Sequence, residues 1–441
     1  LHNTDDDTAP APVVIPHSRH SIHRDQISAS ALKVVHTLTD AGFAAYLVGG
    51  CVRDLLLGRE PKDFDVVTDA LPEEISDLFR SARIIGRRFR LVHVRAGRDI
   101  IEVSTFRALS GADDEADDRA LSEGGRVLRD NVYGTRAEDA LRRDFTVNAL
   151  YLDLADFSIV DYVNGVQDVE QGVLRMIGDA ETRYREDPVR MLRALRFAAK
   201  LGFRLEHATE APLHELARLL GDVPAARLFE EVLKLFHGGA ALETFELLRH
   251  YGLFAYLFPL TEQALAEQVG DFPRTLIPRA LANTDARMQQ NKPVNPAFLF
   301  AVFLWHPCQN LAARYRAEGM QPADALSRAS QEVVSHQVAH ISIPRRYSTP
   351  MREIWAMQPR LERRAGKRAF LLLEHPRFRA AYDFMLLRVE DGEADAELAT
   401  WWTRFQEVDD SERRAMVSQL GAAGTVGRKK RRRRRSSPRG G

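Results

Sequence analysis

The sequence predicts an α+β protein, with a mixed-sheet head over the N-terminal third and an all-helical remainder. Two observations carry this expectation. Between about residues 28 and 107, apolar positions switch repeatedly between helical spacing and strand-like alternation, whereas beyond about residue 165 only helical spacing recurs. The 441 residues, 45% hydrophobic and 28% charged, form an ordinary cored chain long enough for about three domains.

Taken in order, residues 1–20 are rich in Asp, Pro and Ala and read as a flexible arm. ISASALKVVHTLTDAGF spaces Ala31, Val34, Val35 and Leu38 as a helix and stops near Gly42. AAYLVGG is a strand, followed by a short helix after Gly50, the strand DFDVVTD, and the helix LPEEISDLFRS with Pro72 near its start. IIGRRFRLVHVRA and DIIEVSTFR read as paired strands joined by a Gly-containing turn. Residues 110–126 are too polar to bury and read as a mobile loop. From there the expected domains are a head over 21–165, a helical neck over 166–260, a helical body over 261–407, and a linker with a basic tail over 408–441.

Composition narrows the class. Two cysteines, Cys51 and Cys308, build no disulfide framework, and no Cys/His cluster has zinc-ligand spacing, which points to a reducing, cytoplasmic setting. No apolar run reaches the roughly 18 residues of a membrane span, and the start lacks the pattern of a signal peptide. The formal net charge of zero hides eight consecutive bases, Arg428 to Arg435. Such a block cannot pack, so it is expected to be disordered and open to a polyanion, with a solubilising tail as the plain alternative.

The run GGCVRDLLLGREPKDFDVVTDA, from Gly49 to Ala70, carries more charge than a helix and a core require. Side chains alternate along a strand, so Asp63 and Asp65 share a face while Phe64 and Val66 point to the core. Two carboxylates so placed repel, and a divalent cation between them accounts for the pairing; Mg²⁺ typically bridges carboxylates to substrate phosphates. A lone D-x-D is usually a solvated turn. Here it follows Gly49 and Gly50, whose missing side chains open backbone N–H groups to an anion, with Arg53 in reach of phosphate oxygens.

A third carboxylate would complete a two-metal site. Glu102 alternates away from Ile101 and Val103 and is one candidate, an exposed edge-strand glutamate being its plain alternative. Asp144 in LRRDFTVNAL is the other, with a structural ion pair or cap as its alternative. In YREDPVRMLRALRFAAKLGF, Asp187 reads as N-cap, Pro188 as the first helical residue and Gly202 as the stop. Capping leaves Arg190, Arg193 and Arg196 unexplained, a basic stripe whose default is solvation. Glu186, Asp187 and Arg190 together offer donors and acceptors to the edge of a nucleobase.

LVGGCVRDLLLGREPKDFDVVT, RRDFTVNALYLD and ETRYREDPVRMLRALRFAAKLGF together resemble the class II nucleotidyltransferase family of the DNA polymerase beta superfamily, which contains bacterial poly(A) polymerases and CCA-adding tRNA nucleotidyltransferases. The resemblance covers at least residues 30–260. It implies a polymerase-beta-like head in which Asp63 and Asp65 hold catalytic Mg²⁺, with Mn²⁺ as a substitute, and Gly49, Gly50, Arg53 and Arg143 bind the triphosphate. Asp144, in the family's R-R-D-F-T motif, and Glu102 remain the two choices for the third carboxylate. Glu186, Asp187 and Arg190 match the E-D-x-x-R motif that reads the incoming base.

RNA is expected along the helical neck and body and at Arg87, Arg88, Arg193, Arg196, Arg431 and Arg433, with strong salt dependence. IIGRRFRLVHV, VNPAFLFAVFLWHP and KRAFLLLEHPRFRAAYDF resemble the poly(A) polymerase branch. The activity this implies is template-independent transfer of AMP from ATP to RNA 3′ ends, with RNA-decay proteins as partners. CCA addition to tRNA is the alternative within the family. A noncatalytic RNA-binding protein is the alternative outside it, and a binding module has no use for an aspartate pair.

Overall fold

The computed structural model describes residues 11–86, 90–108, 132–267 and 275–420, and the backbone of 119–121 and 127–130. The chain forms two compact units, residues 1–219 and 220–441. Among the described residues no helix is long and apolar enough to cross a membrane.

The first unit is built on β1 (Val13–Ile15), β2 (Ala45–Val48), β3 (Asp65–Thr68), β4 (Ala82–Ile85), β5 (Leu91–Ala96) and β6 (Asp99–Thr105). β7 (Arg119–Leu121) and β8 (Val127–Asp130) pair with each other, and β9 (Leu150–Leu152) and β10 (Ile159–Asp161) return to the main sheet. Its eight strands lie in the order β1-β10-β9-β2-β3-β6-β5-β4. Neighbours are antiparallel except β3 and β6, which run parallel. Parallel neighbours need a crossover. It consists of the helix Pro72–Leu78 and the β4–β5 hairpin.

The helix Ala29–Asp40 forms where its periodicity predicts. Ser28 accepts a hydrogen bond from the Ala31 N–H at 3.1 Å, and Ala31, Val34, Val35 and Leu38 are buried. Leu47, Val66, Val67, Val92, Val103 and Leu152 form a continuous apolar centre across the sheet.

Several expectations need correction. Residues 11–20 are not a loose arm, because the apolar triplet Val13–Ile15 pairs with Ile159–Asp161 at the sheet edge. IIGRRFRLVHVRA is two strands, broken after Ile85 where Gly86 takes φ +85°. Within and just beyond the predicted 110–126 loop, β7 and β8 form a ladder. Asp63 precedes β3 instead of lying in it. A small parallel pair, Val173–Leu174 with Arg204–Leu205, interrupts the stretch read as purely helical. Residues 410–420, read as linker, are helical because Met416 packs with Trp402 and Phe405.

In the second unit, described residues form helices from Ala225–Phe236 to Ala396–Glu407 and on through 410–420. Pro296–Phe303 is central: Leu299 to Phe303 are all buried, as expected for a helix apolar on every side. Phe303 lies 4.8 Å from Phe236 and from Phe258, centroid to centroid. Each buried indole satisfies its N–H, Trp355 on the Ala301 carbonyl and Trp402 on that of Leu361, both at 3.0 Å.

The turn after β10 depends on one buried acid. Asp161 accepts from the N–H groups of Val163, Gly165 and Val166, each at 3.0 Å, and so starts the helix Gly165–Gln171. Asp161→Ala leaves three backbone donors without this acceptor and is expected to destabilise the first unit by about 3 kcal/mol. Chemical denaturation with a probe in the first unit measures this, and an unchanged midpoint would refute the capping role.

Candidate active site

Gly49 ends β2 with φ +78°, and a Cβ there would lie 3.4 Å from both the Arg143 Nη1 and the Asn148 carbonyl. Those are ordinary contact distances, so it is the left-handed conformation that selects glycine. The chain then enters the helix Gly50–Leu56.

Arg53, the predicted phosphate ligand, is only 2% exposed. Its Nε and Nη2 donate to Asp54 Oδ1 at 2.9 and 2.7 Å, and its Nη1 donates to Asn148 Oδ1. Here Arg53 is an internal strut joining its helix to the 146–148 turn. Arg143 stands closer to the glycine turn. Its Nε donates to Asp139 at 3.1 Å and to Tyr151 Oη at 3.2 Å, and Nη1 donates to the Asn148 carbonyl at 3.4 Å. Burial alone would lower its pKa, but Asp139 and Tyr151 outweigh that and raise it, so the cation is permanent.

Asp65 opens β3 and stands in register with Glu102 on β6. Residues directly opposite in a sheet share a face, so the predicted juxtaposition of these two carboxylates is present. Glu102 also faces His93 on β5, whose Nε2 lies 3.8 Å from its carboxylate. Asp65 remains open to solvent as a residue, yet desolvation of its carboxyl, with Glu102 and then Asp63 acting against Arg143, pushes its pKa up to about 6. Glu102 and Asp63 therefore both act on Asp65, against Arg143.

Asp144 is differently placed. Its Oδ1 accepts from the Phe145 N–H at 2.9 Å and from Asn148 Nδ2 at 3.3 Å, and its Oδ2 accepts from Arg193 Nε at 2.7 Å. Burial would raise its pKa, but Arg193 more than reverses this and holds it below the ordinary value. Arg193, expected on a solvated stripe or against RNA, is thus the counter-ion of Asp144. Arg196 packs 4.4 Å from the Phe197 ring, which Arg53 and Arg193 each approach to 5.4 Å.

Glu186 ends the helix Ala180–Glu186, and Arg190 lies in the first turn of Val189–Leu201. Glu186 Oε2 accepts from Arg190 Nη1 at 2.7 Å and Arg183 Nη1 at 3.2 Å. The Asp187 carboxylate accepts from the Val189 N–H at 3.3 Å, a capping contact, although the helix starts one residue beyond Pro188. Arg183 escaped the sequence reading. Its Nη2 donates to the carbonyls of Arg142 and Arg143 at 2.6 and 2.7 Å, tying the E-D-x-x-R segment to the R-R-D-F-T segment. The only signal was its helical i, i+3 spacing to Glu186. Burial and then Arg190 lower its pKa to about 10. Arg87, Arg88, Arg431 and Arg433 lie outside the described residues.

Comparison with known proteins places the chain among polymerases of this kind. Residues 45–175 match the family described as poly A polymerase head domain, 202–265 the probable RNA and SrmB-binding site of polymerase A, and 318–437 the polymerase A arginine-rich C-terminus. The chain is 47% identical to poly(A) polymerase I of Salmonella typhi over 434 residues, 98% of this chain and 93% of the relative. Against that of Escherichia coli O157:H7 the figures are 49% over 438 residues, again 98% and 93%. The CCA-adding enzyme of Lactobacillus helveticus is 41% identical over 217 residues, 49% of this chain and 52% of that protein. The solved CCA-adding enzyme of Bacillus stearothermophilus in complex with CTP aligns with TM-score 0.57 at 27% identity, covering 86% of this chain and 82% of that one.

The raised Asp65 pKa has a consequence for stability. The folded state holds more protons than the unfolded state between the ordinary carboxylate value of 3.8 and about 6, so stability falls as pH rises through that window. In EDTA, Asp65→Asn is expected to raise the melting temperature at pH 7.5 and to leave it nearly unchanged at pH 3.5. Equal shifts at both pH values in a thermal melt would rule out the like-charge strain.

Proposed function

The chain belongs to the poly(A) polymerase I family, and from that premise we propose that it transfers AMP from ATP to RNA 3′ ends without a template. The observation that carries this reading is the register of Asp65 with Glu102 on neighbouring strands, with Asp63 near enough to act on Asp65 and Arg143 against the Gly49 turn. Poly(A) polymerase over CCA addition is supported by the reach of the likeness, 98% of this chain for the former and 49% for the latter.

The three acids suit a divalent ion: they are hard oxygen donors, and desolvation, with Glu102 and Asp63 beside it, raises the Asp65 pKa in a way that a bound cation would offset. We assign Asp63, Asp65 and Glu102 to hold it, in preference to Asp144, whose charge is already met by Arg193. When bound, Mg²⁺ supplies positive charge at the α-phosphate and makes the RNA 3′ hydroxyl a better nucleophile. Arg143, locked by Asp139 and Tyr151, presents a fixed cation to the polyphosphate beside the open backbone of Gly49 and Gly50. The 3′ oxygen bonds to the α-phosphorus as the bond to pyrophosphate breaks, and the hydroxyl proton passes to solvent. No covalent enzyme intermediate is required.

Base selection is assigned to Asp187 and Arg190, with Glu186 and Arg183 holding Arg190 in place. An adenine edge offers one donor and one acceptor, which a carboxylate and a guanidinium match. Such an activity serves RNA decay and processing, so decay proteins are the partners this reading anticipates.

The test is primer extension with Mg²⁺ and single nucleotides on a generic RNA and on a tRNA lacking CCA. Long ladders from ATP on the generic RNA are expected; three additions confined to the tRNA, needing CTP and ATP, would overturn the assignment in favour of CCA addition. Glu102→Gln and Asp144→Asn separate the two carboxylates. The first is expected to lower kcat by about 10²–10³-fold with the fold intact. The second is expected to lower the melting temperature and act less on kcat. The reverse pattern would return the third position to Asp144.

A further inference from the structure

Trp305 and His306 open the helix Trp305–Ala317, and Asp391 and Glu393 lie in the turn after the helix Phe378–Glu390, with Gly392 between them at φ +76°. His306 and Glu393 are 87 residues apart, so no local spacing announces that they meet. The His306 Nε2 lies 2.9 Å from Glu393 Oε1 and 3.7 Å from Asp391 Oδ2. Among the described residues this is the one group of three His, Cys, Asp or Glu side chains whose ligand atoms all lie within 4.8 Å of one another. It is not a solvated acid patch. The His306 side chain is 2% exposed, that of Asp391 6% and that of Glu393 27%.

Each carboxylate is oriented through its outer oxygen. Asp391 Oδ1 accepts from the Thr275 N–H at 2.7 Å and from the Thr275 hydroxyl at 2.6 Å. Glu393 Oε2 accepts from Trp305 Nε1 at 2.7 Å, with Arg388 Nε 3.6 Å away. The inner oxygens, Asp391 Oδ2 and Glu393 Oε1, are thereby turned toward a single ring nitrogen. Donors on the far side of each ligand are what orients a metal ligand set. A proton on Nε2 explains only part of this arrangement: it reaches Glu393, but 3.7 Å is too long for a hydrogen bond to Asp391. Ligands on a tetrahedral zinc ion, with bonds of about 2.0–2.2 Å, stand about 3.4 Å apart. The two separations from Nε2 bracket that value. Glu393, the most open of the three, gives an ion a path from solvent.

We propose that His306, Asp391 and Glu393 form a structural divalent-cation site of the zinc class in the second unit, with a water as fourth ligand. One imidazole with two carboxylates suits Zn²⁺ or Co²⁺ better than Mg²⁺, which takes oxygen ligands. The ion replaces the proton on Nε2, and His306 binds as the neutral imidazole with its proton on Nδ1. Through Asp391 the ion also fastens Thr275, at the start of the helix Leu276–Gln289, so three helices of the unit share one tie. The site uses none of the acids assigned to the catalytic ion and does not rest on that assignment.

The test uses the full chain carrying Asp65→Asn/Glu102→Gln, which removes two of the acids assigned to the catalytic ion, so that the two sites are read separately. Zn²⁺ is titrated in competition with a chromophoric chelator. His306→Gln added to this chain is expected to remove one bound equivalent, Thr275→Val to weaken that equivalent about 10-fold, and excess Mg²⁺ to leave it bound. Saturating Zn²⁺ is expected to raise the melting temperature by about 5 °C, and by much less in His306→Gln. Equal zinc stoichiometry with and without His306, or displacement by Mg²⁺, would overturn the site. No zinc binding at all would overturn it too, leaving the three side chains joined by a proton alone. If His306→Gln does not fold, crystals of the unmodified chain grown with Zn²⁺ must show anomalous density at bonding distance from His306 Nε2, and its absence there overturns the proposal.

Discussion

The site depends on the parallel pairing of β3 with β6. That pairing sets Asp65 directly beside Glu102 on one face of the sheet, while Val66, Val67 and Val103 bury the strands that carry them. Two carboxylates would not choose each other. They are held together because Val66 and Val103, paired in register on the face opposite the acids, are fully buried and fix the strands against each other. Hydrophobic burial thus sets two like charges side by side, and desolvation together with Glu102 raises the Asp65 pKa.

Around this pair, fixed positive charge is supplied by residues that are themselves anchored. Arg143 is held on one side by Asp139 and Tyr151 and on another by the Asn148 carbonyl. Tyr151 in turn donates to Asp139 at 2.7 Å, so the three groups form a closed set within the core of the first unit. Arg183 bonds the backbone of Arg142 and Arg143 from the helix that ends in Glu186. The segment assigned to the base and the segment assigned to the phosphates therefore share one hydrogen-bonded frame. A shift of either is felt by the other.

What the sequence disclosed follows the range of the interaction. Periodicity revealed the helix at 29–40, and alternation revealed that Glu102 points with the acids, because both are local properties of the backbone. Several corrections involve partners distant in the chain. Arg53 finds Asn148 95 residues on, and Asp144 finds Arg193 49 residues on; no local pattern announces either pair. β1 acquires structure only because β10 offers it an edge. The break between β4 and β5 was locally readable at Gly86, but two runs of alternating residues hid it.

The two candidate carboxylates finally separate on charge balance. Asp144 is mostly buried and yet has a lowered pKa, which Arg193 above all, with Asn148 and the Phe145 N–H, brings about. Asp65 is near like charges and has a raised pKa, which leaves it a cation short. An acid whose charge is already compensated gains little from a divalent ion and would have to surrender Arg193 to bind one. Arg53, Arg193 and Arg196 crowd one face of the site around Phe197, and without Asp54 and Asp144 that crowding would be strongly repulsive. Asp144 is then the counter-charge that lets these arginines gather around Phe197, while Asp65 and Glu102 remain exposed on the sheet.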